Sequence, residues 1–136
     1  MVKKILVAVI IVAVLAAVAF IAVYNKPHQS VDNVDTEVTA IQLIEAFDSN
    51  EVVANETYLD KVIEVKGKVR QVLKQQNSFV VLLGDDSSLM SGVSCTLDNK
   101  DDSLAYGLKP GDELVIRGIC TGYLLDVVLI NCKIVN

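Results

Sequence analysis

Lys66, Lys68 and Arg70 stand at every second position, with Lys74 a little beyond them. Along an extended strand alternate side chains share one face, so this spacing collects cations into a stripe. A stripe of that kind holds the phosphates of a single-stranded nucleic acid when aromatic rings beside it stack on the bases. Phe79 and Tyr123 are the rings placed to serve. The aromatic half of the apparatus is thin, and an alternating basic strand is more commonly the solvated face of a sheet.

The three cysteines, Cys95, Cys120 and Cys132, are the other residues with chemistry of their own. Buried free cysteine behaves as a small hydrophobe, whereas in an oxidising compartment two of the three could close a disulfide. Alternation turns Cys95 inward with Val93 and Leu97, Cys120 with Leu114, Ile116 and Gly118, and Cys132 with Val128, Ile130 and Ile134. A tight turn around Tyr123-Leu124 would set Cys120 opposite Val127 and Cys132 opposite Val115. That register opposes a Cys120–Cys132 bridge, because bonded cysteines need Cα atoms within about 7 Å. A longer loop, or Cys95 with either partner, escapes the objection, and the pairing stays undetermined.

No short cysteine pair exists and the single histidine, His28, stands alone in a polar stretch, so no metal site is indicated. Asp85-Asp86 and the group Asp98, Asp101 and Asp102 read as solubilising turns, since their spacing fits no calcium loop. With His28 outside the folded part, no catalytic triad can be assembled. An enzyme is not expected, and no cofactor is implied.

These residues need elements to hold them. Thr39 with Gln42 resembles a capping box, and Ala40, Leu43, Ile44 and Phe47 follow at helical spacing. Asn50 caps a second short helix running to about Tyr58. From Lys61 the period becomes two: Ile63, Val65, Gly67 and Val69 alternate with Glu64, Lys66, Lys68 and Arg70. Further strands are expected over Ser78–Leu83, Gly92–Leu97, Leu114–Cys120 and Val127–Val135. A polar insert with a hint of helix near Leu104 precedes the turn Lys109-Pro110-Gly111-Asp112. Five strands with that insert between the third and fourth match the five-stranded Greek-key barrel called the OB-fold, with another small antiparallel barrel or sandwich as the alternative. Gly67 fits a first strand that must bend sharply.

The chain has 136 residues, 52% hydrophobic, with a net charge of −5. The apolar residues are unevenly spread, for Ile5 to Tyr24 are twenty in succession. A helix of that length rises about 30 Å, the thickness of a bilayer's hydrocarbon core. Lys3 and Lys4 before it favour a cytoplasmic N-terminus and an exported remainder. Ala17-Val18-Ala19 would also serve as a signal-peptidase box, which keeps a cleaved signal as the alternative. The expected organisation is an anchor over 1–24, a linker over 25–38 and a domain over 39–136. Without residues 1–24 the chain keeps ten basic and seventeen acidic residues, about −7. That balance argues against binding a nucleic-acid backbone as the main task.

Two stretches resemble a known family. Ala46-Phe47 through Asn50-Glu51, Ala54 and Tyr58-Leu59-Asp60-Lys61-Val62-Ile63-Glu64-Val65-Lys66-Gly67-Lys68-Val69 resemble the opening of the tRNA anticodon-binding-like OB family of small exported bacterial proteins. Leu108-Lys109-Pro110-Gly111-Asp112 through Gly122, with Asp126–Ile134, resembles its close. The resemblance implies an OB-fold on a membrane anchor or lipoprotein tail and carries over no catalytic residue. This chain departs from lipoprotein members in having no anchor cysteine, which leaves residues 5–24 as the anchor. The expectation is therefore a single-pass cell-membrane protein, its C-terminal domain extracytoplasmic. That domain would bind an envelope protein, peptide or glycan. Single-stranded nucleic-acid binding is the competing reading.

Overall fold

The computed structural model describes residues 1–24, 30–85, 91–98 and 101–135. His28, Asp86, Asn99, Lys100 and Asn136 lie outside the described residues, as do the side chains of Lys3, Lys4, Tyr24 and Asp102. The chain divides into two compact units, Met1–Ser30 and Val31–Asn136.

The first unit carries one helix, α1 (Val2–Tyr24). Nothing in its sequence interrupts it, since Gly and Pro are absent. Its described side chains from Val9 to Ile21 are exposed all round. Among the described residues no helix is long and apolar enough to cross a membrane. The expected helix is present, whereas a transmembrane span is not shown.

The second unit is structured from within the stretch read as linker. The Asp35 N–H donates to Val62 O at 2.8 Å, and the Asp35 carboxylate accepts the Val62 N–H at 2.9 Å. Strand β1 (Thr36–Thr39) then pairs in parallel with the start of β2 (Val62–Lys74). Thr39 closes β1 and caps α2 (Ala40–Ser49) with the reciprocal Thr39–Gln42 bonds of a capping box. Ala40, Leu43, Ile44 and Phe47 are all buried, as their spacing requires. Asn50 accepts the Val53 N–H and caps α3 (Glu51–Tyr58).

After β2 come β3 (Phe79–Leu83), β4 (Val93–Leu97), the single-turn α4 (Asp102–Ala105), β5 (Glu113–Tyr123) and β6 (Val127–Val135). The sheet runs β2-β3-β4-β6-β5, and β5 returns to β2, so five strands close a barrel with β1 as an added edge. Only β4 and β6 pair in parallel around that ring. This is the OB-fold, with α4 as the insert between its third and fourth strands. Inward residues such as Ile63, Val65, Val81, Leu83, Ile116 and Leu129 are fully buried. Each contributes about 1.5–3 kcal/mol by leaving water.

Strand β2 passes from β5 to β3 at Lys68–Val69, next to Gly67, and its register shift falls between Val69 and Gln71, where Val69 exchanges backbone bonds with Gly111 and Asp112. Gly67 also admits α2: a Cβ there would lie 2.9 Å from Ala40 Cβ. Two local readings are corrected. In β6, Val127 and Leu129 point inward and Ile130 is exposed, the reverse of simple alternation. Asn131, at φ 52°, supplies the extra residue that returns Cys132 and Ile134 to the core. The β5–β6 turn lies at Leu124-Leu125-Asp126, and a second shift follows Cys120, so Cys120 faces Leu129 and Val115 faces Val135.

Candidate functional site

The β2 stripe meets the start of α2 on the outside of the barrel. Lys66 and Lys68 are exposed, opposite Val115 and Glu113 of β5. Neither ammonium has a hydrogen-bond or ion-pair partner among the described residues. Between them Gly67 lets α2 approach, which leaves a cleft of about 300 Å³ lined by Ala40, Ile41, Lys66, Lys68, Asp85 and Glu113 among others. The lining thus holds two cations and two carboxylates, with Lys68 and Glu113 register partners on neighbouring strands. Next along the outer face Glu64 is tied to Arg117, Nε to Oε2 at 2.6 Å. Arg70 is half-buried: its stem lies over Gly84, and its guanidinium donates to Ser91 O at 3.4 Å. Of the basic stripe, therefore, only Lys66 and Lys68 project freely into the cleft's surroundings.

The two rings are not beside them. Phe79 opposes Lys74 at one end of β2 and is 6% exposed, its ring packed edge-on to Tyr106 at 4.8 Å. Tyr123 lies past the other end, beyond the Val62–Ile119 pair. Its hydroxyl donates to Asp48 Oδ1 at 2.6 Å and its ring stacks on Phe47 at 5.6 Å. That bond to the carboxylate raises the Tyr123 pKa above its ordinary value. Tyr106 was not singled out by sequence. It is 68% exposed, and Lys74 Nζ, bonded to its hydroxyl at 3.0 Å, also lies 5.4 Å from its ring centre. The two are 32 positions apart and only the fold brings them together.

All three cysteines are buried free thiols. Leu129 is the register partner of both Cys120 and Cys95, so it separates those two across β6. Burial pushes the Cys120 thiol up, and pushes Cys132 well up, with the adjacent Cys95 thiol adding to the effect. Thiols held protonated in this way are poor nucleophiles. The loop acids serve the backbone: Asp101 accepts from Ile134 N–H, and Asp126 from Gly92 N–H at 2.7 Å. Among the described residues no three His, Cys, Asp or Glu side chains converge on a metal-sized site.

A second cleft, about 390 Å³, lies between α3 and the β5–β6 turn, lined by Glu51, Asn55, Leu59, Gly122 and Leu124 among others. Asn55 Oδ1 is buried there without a hydrogen-bond partner among the described residues.

A family model described as tRNA_anti-like matches residues 1–134. A search of curated proteins finds no match. Among solved structures, a lipoprotein from Klebsiella pneumoniae whose description proposes nucleic-acid binding is similar, with a TM-score of 0.62 and 18% identity. The match covers 82% of this chain and all of that one. A Leishmania major chain described as an aspartyl-tRNA synthetase gives a TM-score of 0.52 at 11% identity, over 89% of this chain and 26% of that one. At these identities the likeness is one of fold.

Proposed function

The chain belongs to the tRNA_anti-like family of OB-fold domains, and on that premise we propose that it is a membrane-anchored, extracytoplasmic binding module of the cell envelope. Its target is a protein, peptide or glycan, which it holds without transforming. The observation that carries this reading is the mixed charge of the Lys66–Lys68 cleft, whose lining also includes Asp85 and Glu113. A cleft bearing both signs suits a peptide or protein surface, which offers both, and attracts a polyanion less than an all-basic stripe would. The anchor rests on the twenty-residue apolar run and on a helix whose described side chains are exposed on every side. Lys3 and Lys4 give the orientation.

Single-stranded nucleic-acid binding is the second reading. One observation favours it: the exposed Tyr106 ring beside Lys74 offers a stacking face next to a cation. The similar lipoprotein's description points the same way. A photo-crosslinking side chain at position 68 of the full chain, activated in intact envelopes, separates the two. Adducts removed by protease and indifferent to nuclease support the module. Adducts removed by nuclease would promote the nucleic-acid reading.

A further inference from the structure

The two lysines of the cleft beside α2 are not equivalent. Lys66 stands between Thr39 of β1 and Val115 of β5, and neither neighbour is charged. The Thr39 side chain is engaged in the α2 capping box. Glu64, the next acid along that face, is held by Arg117, and Glu37 lies outside the cleft lining. Lys68, by contrast, has Glu113 as its register partner, and opposite charges on paired residues of one face offset each other. Asp85, the other acid in the lining, already has an interaction of its own within the protein. Among the described lining residues, Lys66 is therefore the charge left uncompensated.

The lining around it is aliphatic. Ile41 is 44% exposed, and Ala40, Gly67 and Gly84 add no polar side chain. No aromatic ring stands among the described lining residues to stack on a sugar or a base. At about 300 Å³ the cleft is at the small end for a ligand site, so it takes a short segment and not a broad surface.

We infer that the occupant is a peptide segment carrying one carboxylate beside an aliphatic side chain. The carboxylate meets Lys66, the aliphatic group packs on Ile41, and Lys68 stays with Glu113. This rests on the binding-module reading above and narrows its ligand to one chemical class. Lys66 and Ile41 become the residues that select the ligand, with one cation for one carboxylate.

The probe is a fluorescein-labelled peptide, Gly-Ser-Leu-Glu-Val-Ser-Gly, titrated by anisotropy against the full chain in detergent micelles. Matched peptides replace its Glu by Gln, or its Leu and Val by Ser. We expect the Gln peptide to bind about two- to fivefold more weakly, the range of an exposed ion pair. That preference should fade as salt rises. Lys66→Gln should abolish it, whereas Lys68→Gln should leave it in place. Ile41→Ser should likewise abolish the preference for Leu and Val over Ser. All three positions are exposed, so the variants should keep the fold, and Lys66→Met repeats the test should Lys66→Gln lose it. A preference for Glu that survives Lys66→Gln, or that Lys68→Gln removes equally, overturns the inference and leaves the binding module standing. Trigalacturonate, an acidic sugar, overturns it too if it displaces the probe as well as unlabelled peptide does. Absence of probe binding at millimolar concentration overturns the inference alone, since the crosslink at position 68 judges the module separately.

Discussion

Cys132 Sγ fills the space above Gly118 on the neighbouring strand: a Cβ at position 118 would lie 2.5 Å from it. Gly118→Ala should therefore destabilise the fragment 31–136 by about 1–3 kcal/mol through overpacking. Ile130 O and Leu129 Cβ, each 3.2 Å from the same point, do not move when the sulfur is removed. Adding Cys132→Ala should thus recover part of the loss and not all of it. Urea midpoints of the two single variants and the double variant measure this, and strict additivity would refute the contact.

Asn131 holds β6 in phase from its left-handed conformation. Asn131→Gly should leave stability nearly unchanged, because glycine accepts φ 52° freely. Asn131→Val should cost about 1–2 kcal/mol, since a β-branched residue resists that region. Equal midpoints for the two variants would contradict the bulge.

That bulge also shows where sequence reading stopped. Helices α2 and α3 were legible because Thr39, Gln42 and Asn50 cap them locally and Ala40, Leu43, Ile44 and Phe47 keep one period. The barrel strands were legible from their alternation. The phase change in β6 was not, because Asn131 differs from its neighbours only in a backbone angle. Strand β1 escaped notice since four residues paired in parallel with a strand 27 positions on leave no local period. Lys66 and Lys68 could be chosen from spacing alone. The burial of Phe79, the tie of Tyr123 to Asp48 and the meeting of Lys74 with Tyr106 all depend on long-range contacts.

Among the described residues, Cys120, Cys132 and Tyr123 titrate later in the folded chain than in the unfolded one. Raised folded values mean that the unfolded chain loses these protons first as pH climbs. The stability they contribute is fully present below about pH 9 and is lost above it. Urea midpoints should fall between pH 9 and 10.5, and the fall should shrink in Cys132→Ala and in Tyr123→Phe. A midpoint flat across that range would contradict the burial of the thiols.

The proposed orientation rests on Lys3 and Lys4. Protease added outside intact spheroplasts should digest residues 31–136, leaving a short membrane-held fragment. Protection until lysis would reverse the topology.

The central claim is that the β2 cations serve a mixed-charge binding cleft and not a polyanion track. A labelled single-stranded oligonucleotide titrated at low salt tests it most directly, using the wild type and the variant carrying Lys66→Glu, Lys68→Glu and Arg70→Glu. We expect weak binding that the triple variant leaves unchanged, because a domain of about −7 repels the strand beyond the roughly 10 Å reach of two lysines. Micromolar or tighter binding that falls steeply with salt and disappears in the triple variant would contradict it.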